Sequence, residues 1–311
     1  MSMRNKVFGG LIGLCVGDAL GVPVEFVSRT ALEKNPLEMM NGYGTHNQPL
    51  GTWSDDSSLT FCLMESLCEG YDTDDIAKRF VKWYEEGYWT AHGEVFDIGN
   101  ATMQAIVRIQ RGCKAEEAGG KTQYDNGNGS LMRILPLSFY LLYKNDVAQR
   151  FKIVKEVSSI THAHTRSVMA CFFYVELAIS LIKGKNFDEA MDITVSTFDS
   201  LFCDNIEREH FQRILDKNVV QISQKDIYSS GYVIHSLEAA LWCIKNSNSY
   251  KDVILKAVNL GEDTDTTAAI AGGLAGIMYG QESIPHEWID SLARKDEILR
   301  LCQRFNSATF E

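Results

Sequence analysis

Two short stretches of the chain concentrate oxygen ligands. "GEDTDTT" packs Glu262, Asp263, Asp265 and three threonines into six positions, and "GTWSDDSS" sets Ser54, Asp55 and Asp56 together. Each stands immediately before an apolar run, so each reads as the start of a helix. Asp, Ser and Thr are good N-caps, and acids in a first turn complement the helix dipole. One cap needs one such residue, and these segments offer a surplus. The four aspartates, Asp55, Asp56, Asp263 and Asp265, come with two or more hydroxyls, all hard oxygen donors. That inventory suits Mg²⁺ or Mn²⁺ without help from Cys or His. A pair of such ions would neutralise acids that otherwise repel one another.

The elements that would position these groups follow from the flanking sequence. After the first cluster comes "AAIAGGLAGIMYG", almost entirely small residues, and "GGLIGLCVGDALG" near the N-terminus has the same character. Glycine inside a helix costs about 0.5–1 kcal/mol relative to alanine, so this many glycines need a packing reason. The two segments are natural partners, approaching closely enough to bring acidic helix starts together. Elsewhere helical spacing dominates. Phe172, Val175, Ile179 and Ile182 form one stripe, Ile234, Leu237, Leu241 and Ile244 another, and Leu59, Cys62, Leu63 and Leu67 a third after Ser54. Period-two alternation is missing, there are five prolines, and no linker or repeat divides the chain. The expectation is one compact all-α domain, an orthogonal helical bundle over residues 1–311. "KNPLEMMNGYGTHNQPLG" and "EEAGGKTQYDNGNGS" read as long functional loops.

Composition narrows the partners. A net charge of −11 argues against a nucleic-acid surface, while an anionic small molecule on backbone amides remains possible. Eight scattered cysteines without a C-x-x-C pair read as reduced core thiols. The first twenty residues resemble a signal peptide in having basic residues before an apolar stretch. Asp18, Gly17 and Gly21 close that stretch, however, and no A-x-A site follows. No run reaches the ~18 apolar residues of a spanning helix, so the chain is expected to be cytoplasmic, with no membrane partner.

Three further stretches carry chemistry. In "DNGNGSLMRILPL", Gly127 to Ser130 precede an apolar helix, and amides at such a start can hold phosphate. "THAHTRS" places His162 and His164 on different helical faces, against a zinc site. "EVFDIGNAT" sets Asp97 among apolar neighbours, as a cap or a tuned acid.

Taken in order, "GLCVGDALGVPVEF", "GTWSDDSSLTFCL", "FDIGNAT", "GNGSLMRILPL", "THAHTRS", "SGYVIHSLEAALW" and "NLGEDTDTTAAIAGGLAGIMYG" resemble the ADP-ribosylglycohydrolase family over nearly the whole chain. The resemblance implies a compact all-α fold with two Mg²⁺ (or Mn²⁺) ions, cleaving ADP-ribose from a modified group, usually a protein side chain. By motif, the metal ligands fall on Ser54, Asp55, Asp56, Asp263, Asp265 and Thr266. Glu25 falls on an acid that joins the metal shell in some members. The diphosphate loop falls on Gly127, Asn128, Gly129, Ser130, Leu131 and Met132, and the substrate-contacting histidine on His162. Asp97 matches an acid near the ribose, and Tyr232 a wall of the ribose or adenine pocket. Asp55 or Asp56 would orient an attacking water, or Asp97 would protonate the ribose ring oxygen. Ser54 and Ser57 stand where threonine is commoner, and "THAHTRS" lacks a proline often found after the histidine; every metal-ligand position keeps its oxygen. The implied partner is a mono-ADP-ribosylated protein, arginine-linked by family frequency, with ADP-ribose as product and the enzyme a monomer. Binding of ADP-ribose without catalysis, and hydrolysis of free ADP-ribosyl metabolites or nucleic-acid adducts, are the alternatives.

Overall fold

The computed structural model describes residues 1–310, and among them are 15 α-helices and no β-strand, only three isolated bridges. The first five helices are α1 (Met3–Gly21), α2 (Arg29–Lys34), α3 (Asp55–Leu67), α4 (Thr73–Glu86) and α5 (Asn100–Gln110). Next come α6 (Pro136–Tyr140), α7 (Val147–Ser159), α8 (Thr165–Ile182), α9 (Phe187–Phe202) and α10 (Gln212–Leu215). The last are α11 (Val233–Lys245), α12 (Tyr250–Val258), α13 (Thr264–Tyr279), α14 (His286–Ser291) and α15 (Lys295–Phe310). The all-α expectation matches this architecture, and the three apolar stripes lie on α8, α11 and α3.

The two small-residue segments are α1 and α13, and they pack backbone to backbone along their whole length. A Cβ on Gly17 would land on the Ala268 carbonyl, and one on Gly276 on the Gly9 carbonyl. At the far end a Cβ on Gly21 would strike the Asp265 backbone. Glycine at these positions is therefore a matter of approach distance. Nearly all of both helices is buried, and the contact sets the start of α13 beside the end of α1. Side chains lock the pair: Tyr250 donates to the Gly13 carbonyl at 2.7 Å, and Tyr174 to Ile270 at 3.0 Å. Thr264 Oγ1 donates to the Gly21 carbonyl at 2.8 Å.

Two helices, Met3–Val24 and Thr165–Ile182, are in fact long and apolar enough to cross a membrane, contrary to the expectation from run length. Their apolar surface is taken up by packing: 94% and 89% of those windows are buried inside the protein. α8 is a central helix, with every residue from Ser167 to Ile182 buried, so its stripe is part of an apolar circumference. Five of the eight cysteines are buried in this core; Cys68 and Cys113 are half-buried, and Cys203 is exposed.

Candidate active site

The start of α3 is held by an acid from α1. Asp18 is fully buried and accepts from the Ser54 amide (2.9 Å), the Ser57 amide (3.0 Å) and the Ser57 hydroxyl (2.5 Å). Burial raises its pKa to about 6 while these hydrogen bonds hold it down. Ser54 caps the helix, accepting from the Asp56 amide at 3.3 Å and donating to Asp56 Oδ2 at 3.1 Å. The position of Asp55 and Asp56 is thus fixed by α1 as much as by their own helix.

At the start of α13, Asp263 occupies the N-cap position and makes no capping hydrogen bond. Its Oδ2 accepts instead from Asn128 Nδ2 at 2.8 Å. Asp265 is fully buried, and Thr266 Oγ1 donates to Asp56 Oδ2 at 3.3 Å, joining the two helix starts. Carboxylate oxygens of Glu25, Asp263 and Asp265 lie within 4.8 Å of one another, as do a ring nitrogen of His46 and carboxylate oxygens of Glu25 and Asp97. Asp55 and Asp56 fall outside these two groups, with Asp56 tied in through Thr266.

The electrostatics of this cluster fit a cation. Asp56 Oδ1, Asp263 Oδ1 and Asp265 Oδ2 are buried with no hydrogen-bond partner, a costly state for a carboxylate oxygen. Burial, and then the mutual repulsion of neighbouring acids, raises Asp55, Asp56 and Asp265 well above the usual carboxylate range. Asp263 is raised as well, by burial. Dehydrated acids with unpartnered oxygens are a donor set for hard divalent ions.

Glu25 and Asp97 form a second pair. Burial and neighbouring acids raise both to about 8. Their carboxyl oxygens lie within 4.8 Å of each other, so a proton retained on the pair relieves their repulsion. His46 closes on Glu25 through a short contact, and Thr45 Oγ1 donates to the Glu25 carbonyl at 2.7 Å. The first long loop therefore contributes directly to the site. Asp97 has φ 53° and Phe26 φ 62°, both in the left-handed region that bulky residues avoid.

A cleft of about 430 Å³ opens above these acids, and the second long loop forms part of its wall. Gly127 and Gly129 alternate with buried Asn126, Asn128 and Ser130. Among the described residues, the Gly127 and Gly129 amides have no protein acceptor, whereas the Asn128 and Met132 amides are committed to the Gly231 and Asn128 carbonyls. Arg133, fully buried, supports the loop from below: its Nη1 donates to the Gly129 carbonyl, and it lies 4.7 Å over the Phe80 ring. His162 is 2% exposed, with Nδ1 2.8 Å from Thr161 Oγ1. Burial and then Arg133 push it down to about 3, so it faces the cleft as a neutral imidazole.

The structure brings Glu25, Asp55, Asp97, Gly127, Asn128, Gly129, Met132, His162, Asp263 and Thr266 to the cleft, with Ser54, Asp56 and Asp265 buried alongside them. Of the expected substrate-binding residues, three do not line it. The Ser130 hydroxyl is 2.9 Å from Ser158 Oγ and 3.3 Å from Cys171 Sγ, and Leu131 belongs to the core. The Tyr232 hydroxyl accepts from Arg166 at 3.0 Å, outside the cleft. Sequence reasoning missed Phe26, Thr102 and Tyr124 in the lining, and the supports Asp18, His46 and Arg133. Asp18 alone carried a signal, as the one acid in an otherwise apolar helix end.

Comparison with known proteins agrees with this arrangement. The family model for ADP-ribosylglycohydrolase matches residues 1–310. The chain is 33% identical over 304 residues to an ADP-ribosylarginine hydrolase of Pseudomonas putida, covering 96% of this chain and 77% of that protein. It is 27% identical to the ADP-ribosyl-[dinitrogen reductase] glycohydrolase of Rhodospirillum rubrum, covering 95% and 93%. A solved structure, an ADP-ribosylglycohydrolase-related protein complex, superposes with a TM-score of 0.83 at 27% identity over 99% of both chains. With helices, acids and glycine loop arranged as described, the chain belongs to the ADP-ribosylglycohydrolase family and is an ADP-ribosyl glycohydrolase.

Proposed function

We propose that this enzyme is a divalent-metal-dependent hydrolase that releases ADP-ribose from a modified arginine side chain of a protein. The observation that carries the metal dependence is the set of three buried, unpartnered carboxylate oxygens beneath the cleft. The arginine linkage is supported by 33% identity to the ADP-ribosylarginine hydrolases of Pseudomonas putida and Serratia proteamaculans.

Ser54, Asp55, Asp56, Asp263, Asp265 and Thr266 would hold two Mg²⁺ or Mn²⁺ ions. Such ions lower the pKa of bound water and polarise substrate oxygens. The remaining chemistry falls to the chain's own groups. The unpaired amides of Gly127 and Gly129 donate to the diphosphate, and neutral His162 adds a neighbouring polar edge without a charge. Asn128 ties that loop to Asp263, so the diphosphate site and the acids keep a fixed separation. Asp55, which lines the cleft, orients the attacking water. Asp97 retains a proton at neutral pH and stands ready to donate it as the glycosidic bond or the ribose ring opens.

Within this reading the chain is a single domain, monomeric and cytoplasmic. The deciding experiment incubates the protein with arginine-, serine- and nucleobase-linked ADP-ribose, with and without EDTA. Release from the arginine-linked substrate alone, lost with EDTA and restored by Mg²⁺ or Mn²⁺, is expected. Undiminished turnover in a metal-free sample would sink the metal reading. Preference for another linkage would sink the arginine assignment.

A further inference from the structure

Phe26 is an aromatic side chain 66% exposed on the wall of the cleft. Its left-handed backbone is imposed from outside. The Phe26 amide donates to the Glu262 carbonyl at 2.6 Å, and the Glu262 amide donates back to Val27 at 2.9 Å. Glu262 is itself left-handed, at φ 63°. Arg29 bolts this region down through the carbonyls of Leu260, Gln224 and Ile227, each at 2.7 Å. The fold thus holds an unfavourable conformation that keeps the ring in solvent, an arrangement characteristic of ligand contacts. The ring lies 5.9 Å from His46, which in turn lies 5.2 Å from Phe96.

A chain of contacts places Phe26 along the cleft. Gly129 packs against His162 and Thr102 at one end. Asn128 then reaches Asp263, Asp263 lies within ligand distance of Glu25, and Glu25 adjoins Phe26. With the diphosphate on the glycine loop and the reacting ribose over the acids, Phe26 falls where the leaving group emerges. Four carboxyl groups line the cleft, those of Glu25, Asp55, Asp97 and Asp263, and no Lys or Arg is there to repel a cation. This end therefore offers a π face backed by carboxyl groups, which favours a planar cation over a neutral or anionic group.

We infer that Phe26, backed by Glu25 and Asp97, forms the acceptor subsite, stacking on the guanidinium of the ADP-ribosylated arginine and discriminating it from hydroxyl-linked substrates. The inference rests on the arginine reading above and adds the residue that enforces it. A guanidinium over an aromatic face gains what a serine oxygen cannot.

The test compares Phe26→Leu and Phe26→Trp with the unaltered enzyme on matched arginine- and serine-linked ADP-ribosyl peptides, alongside the Kd for free ADP-ribose. Leucine keeps the apolar cover and removes the π face; tryptophan enlarges that face. Phe26→Leu should lower kcat/KM on the arginine-linked peptide about 2- to 30-fold. Free ADP-ribose affinity and any serine-linked turnover should stay unchanged. Phe26→Trp should retain or raise arginine-linked kcat/KM. Equal losses on both linkages, weakened binding of free ADP-ribose, or no effect of leucine would overturn the subsite while leaving the arginine reading intact. An unaltered enzyme inactive on arginine-linked ADP-ribose would overturn that reading, and the subsite with it.

Discussion

The starts of α4 and α13 are nearly the same sequence with opposite fates. Asp72–Thr73–Asp74–Asp75 opens α4, and Asp263–Thr264–Asp265–Thr266 opens α13. In α4, Asp72 caps the helix, accepting from the Asp74 amide at 2.8 Å and the Asp75 amide at 3.2 Å. Asp72 and Asp74 are exposed. Burial works against the Asp75 carboxylate, but hydrogen bonds from Arg79 and Ser66 outweigh it and hold its pKa below the usual value. In α13, Asp263 makes no capping bond and Asp265 is fully buried, without an arginine partner. Carboxylates at a helix start are ordinary; carboxylates at a helix start without water, caps or cations need an external charge. What separates the two is the next turn. α4 continues "IAKRFVKW", with one apolar face and Arg79 at hand, whereas α13 continues in small residues that sink its start against α1.

Substitutions at the two sites test this contrast most strongly. Asp265→Asn and Asp55→Asn should fold, lose metal content and lose roughly three orders of magnitude in turnover, since an ion's contribution to the transition state is several kcal/mol. With metal removed, Asp265→Asn should melt at or above the temperature of the unaltered protein, because it deletes a buried acid that must either lose its hydration or take up a proton on folding. Metal content and melts with and without chelator would decide. An Asp265→Asn enzyme with full turnover would return this stretch to helix capping.

A smaller effect is expected at the glycine loop. A Cβ on Gly129 would lie 2.7 Å from His162 Cε1 and 3.2 Å from Thr102 Oγ1. Gly129→Val should therefore displace the loop and weaken ADP-ribose binding about 10- to 100-fold, the worth of one hydrogen bond to a charged group, with metal content unchanged. Calorimetry showing unaltered affinity would place the diphosphate elsewhere.

Next comes the pH dependence of the metal-free protein. Acids whose folded pKa is raised bind protons more tightly when folded. Their contribution is full below the unfolded value near 4 and is lost as pH rises through about 6 for Asp18 and about 8 for Glu25 and Asp97. His162, pushed down to about 3, acts oppositely: its contribution is full above about 6.5 and fades as pH falls. Several acids outweigh one histidine, so chelated protein should melt a few degrees higher at pH 5.5 than at pH 8. Added Mg²⁺ should reduce or reverse that difference. A metal-free protein steadily more stable towards pH 8 would contradict the buried-acid description.

The smallest effect is expected on α4. Asp72→Asn leaves a competent cap, so a change of at most a few tenths of a kcal/mol and unaltered turnover should follow. A measurable loss of activity would show that the α4 start communicates with the cleft.

Much of the site was legible because its chemistry is written in residue types. A surplus of acids and hydroxyls at Ser54–Asp56 and Asp263–Thr266 exceeds what capping needs, and small residues at helical spacing in α1 and α13 signal backbone contact. The glycine loop was legible as a segment but not residue by residue. Which of Gly127 to Met132 face the cleft depends on Asn128 pairing with Gly231 and on Ser130 turning to Ser158. Where Tyr232 points was not legible for a similar reason, since its hydroxyl is claimed by Arg166, 66 positions earlier.

The sequence by itself determined the helical class and the α1–α13 pairing and displayed the surplus of acids and hydroxyls, because periodicity, side-chain size and residue type are local properties. Tertiary structure decided which acids are dehydrated. It alone gave Asp18 the amides of Ser54 and Ser57, brought His46 onto Glu25, and left Asp56, Asp263 and Asp265 each with an unpartnered oxygen. Burial depends on every element packed around a group, and the free energy of a charge is set by the solvent and partners that remain to it.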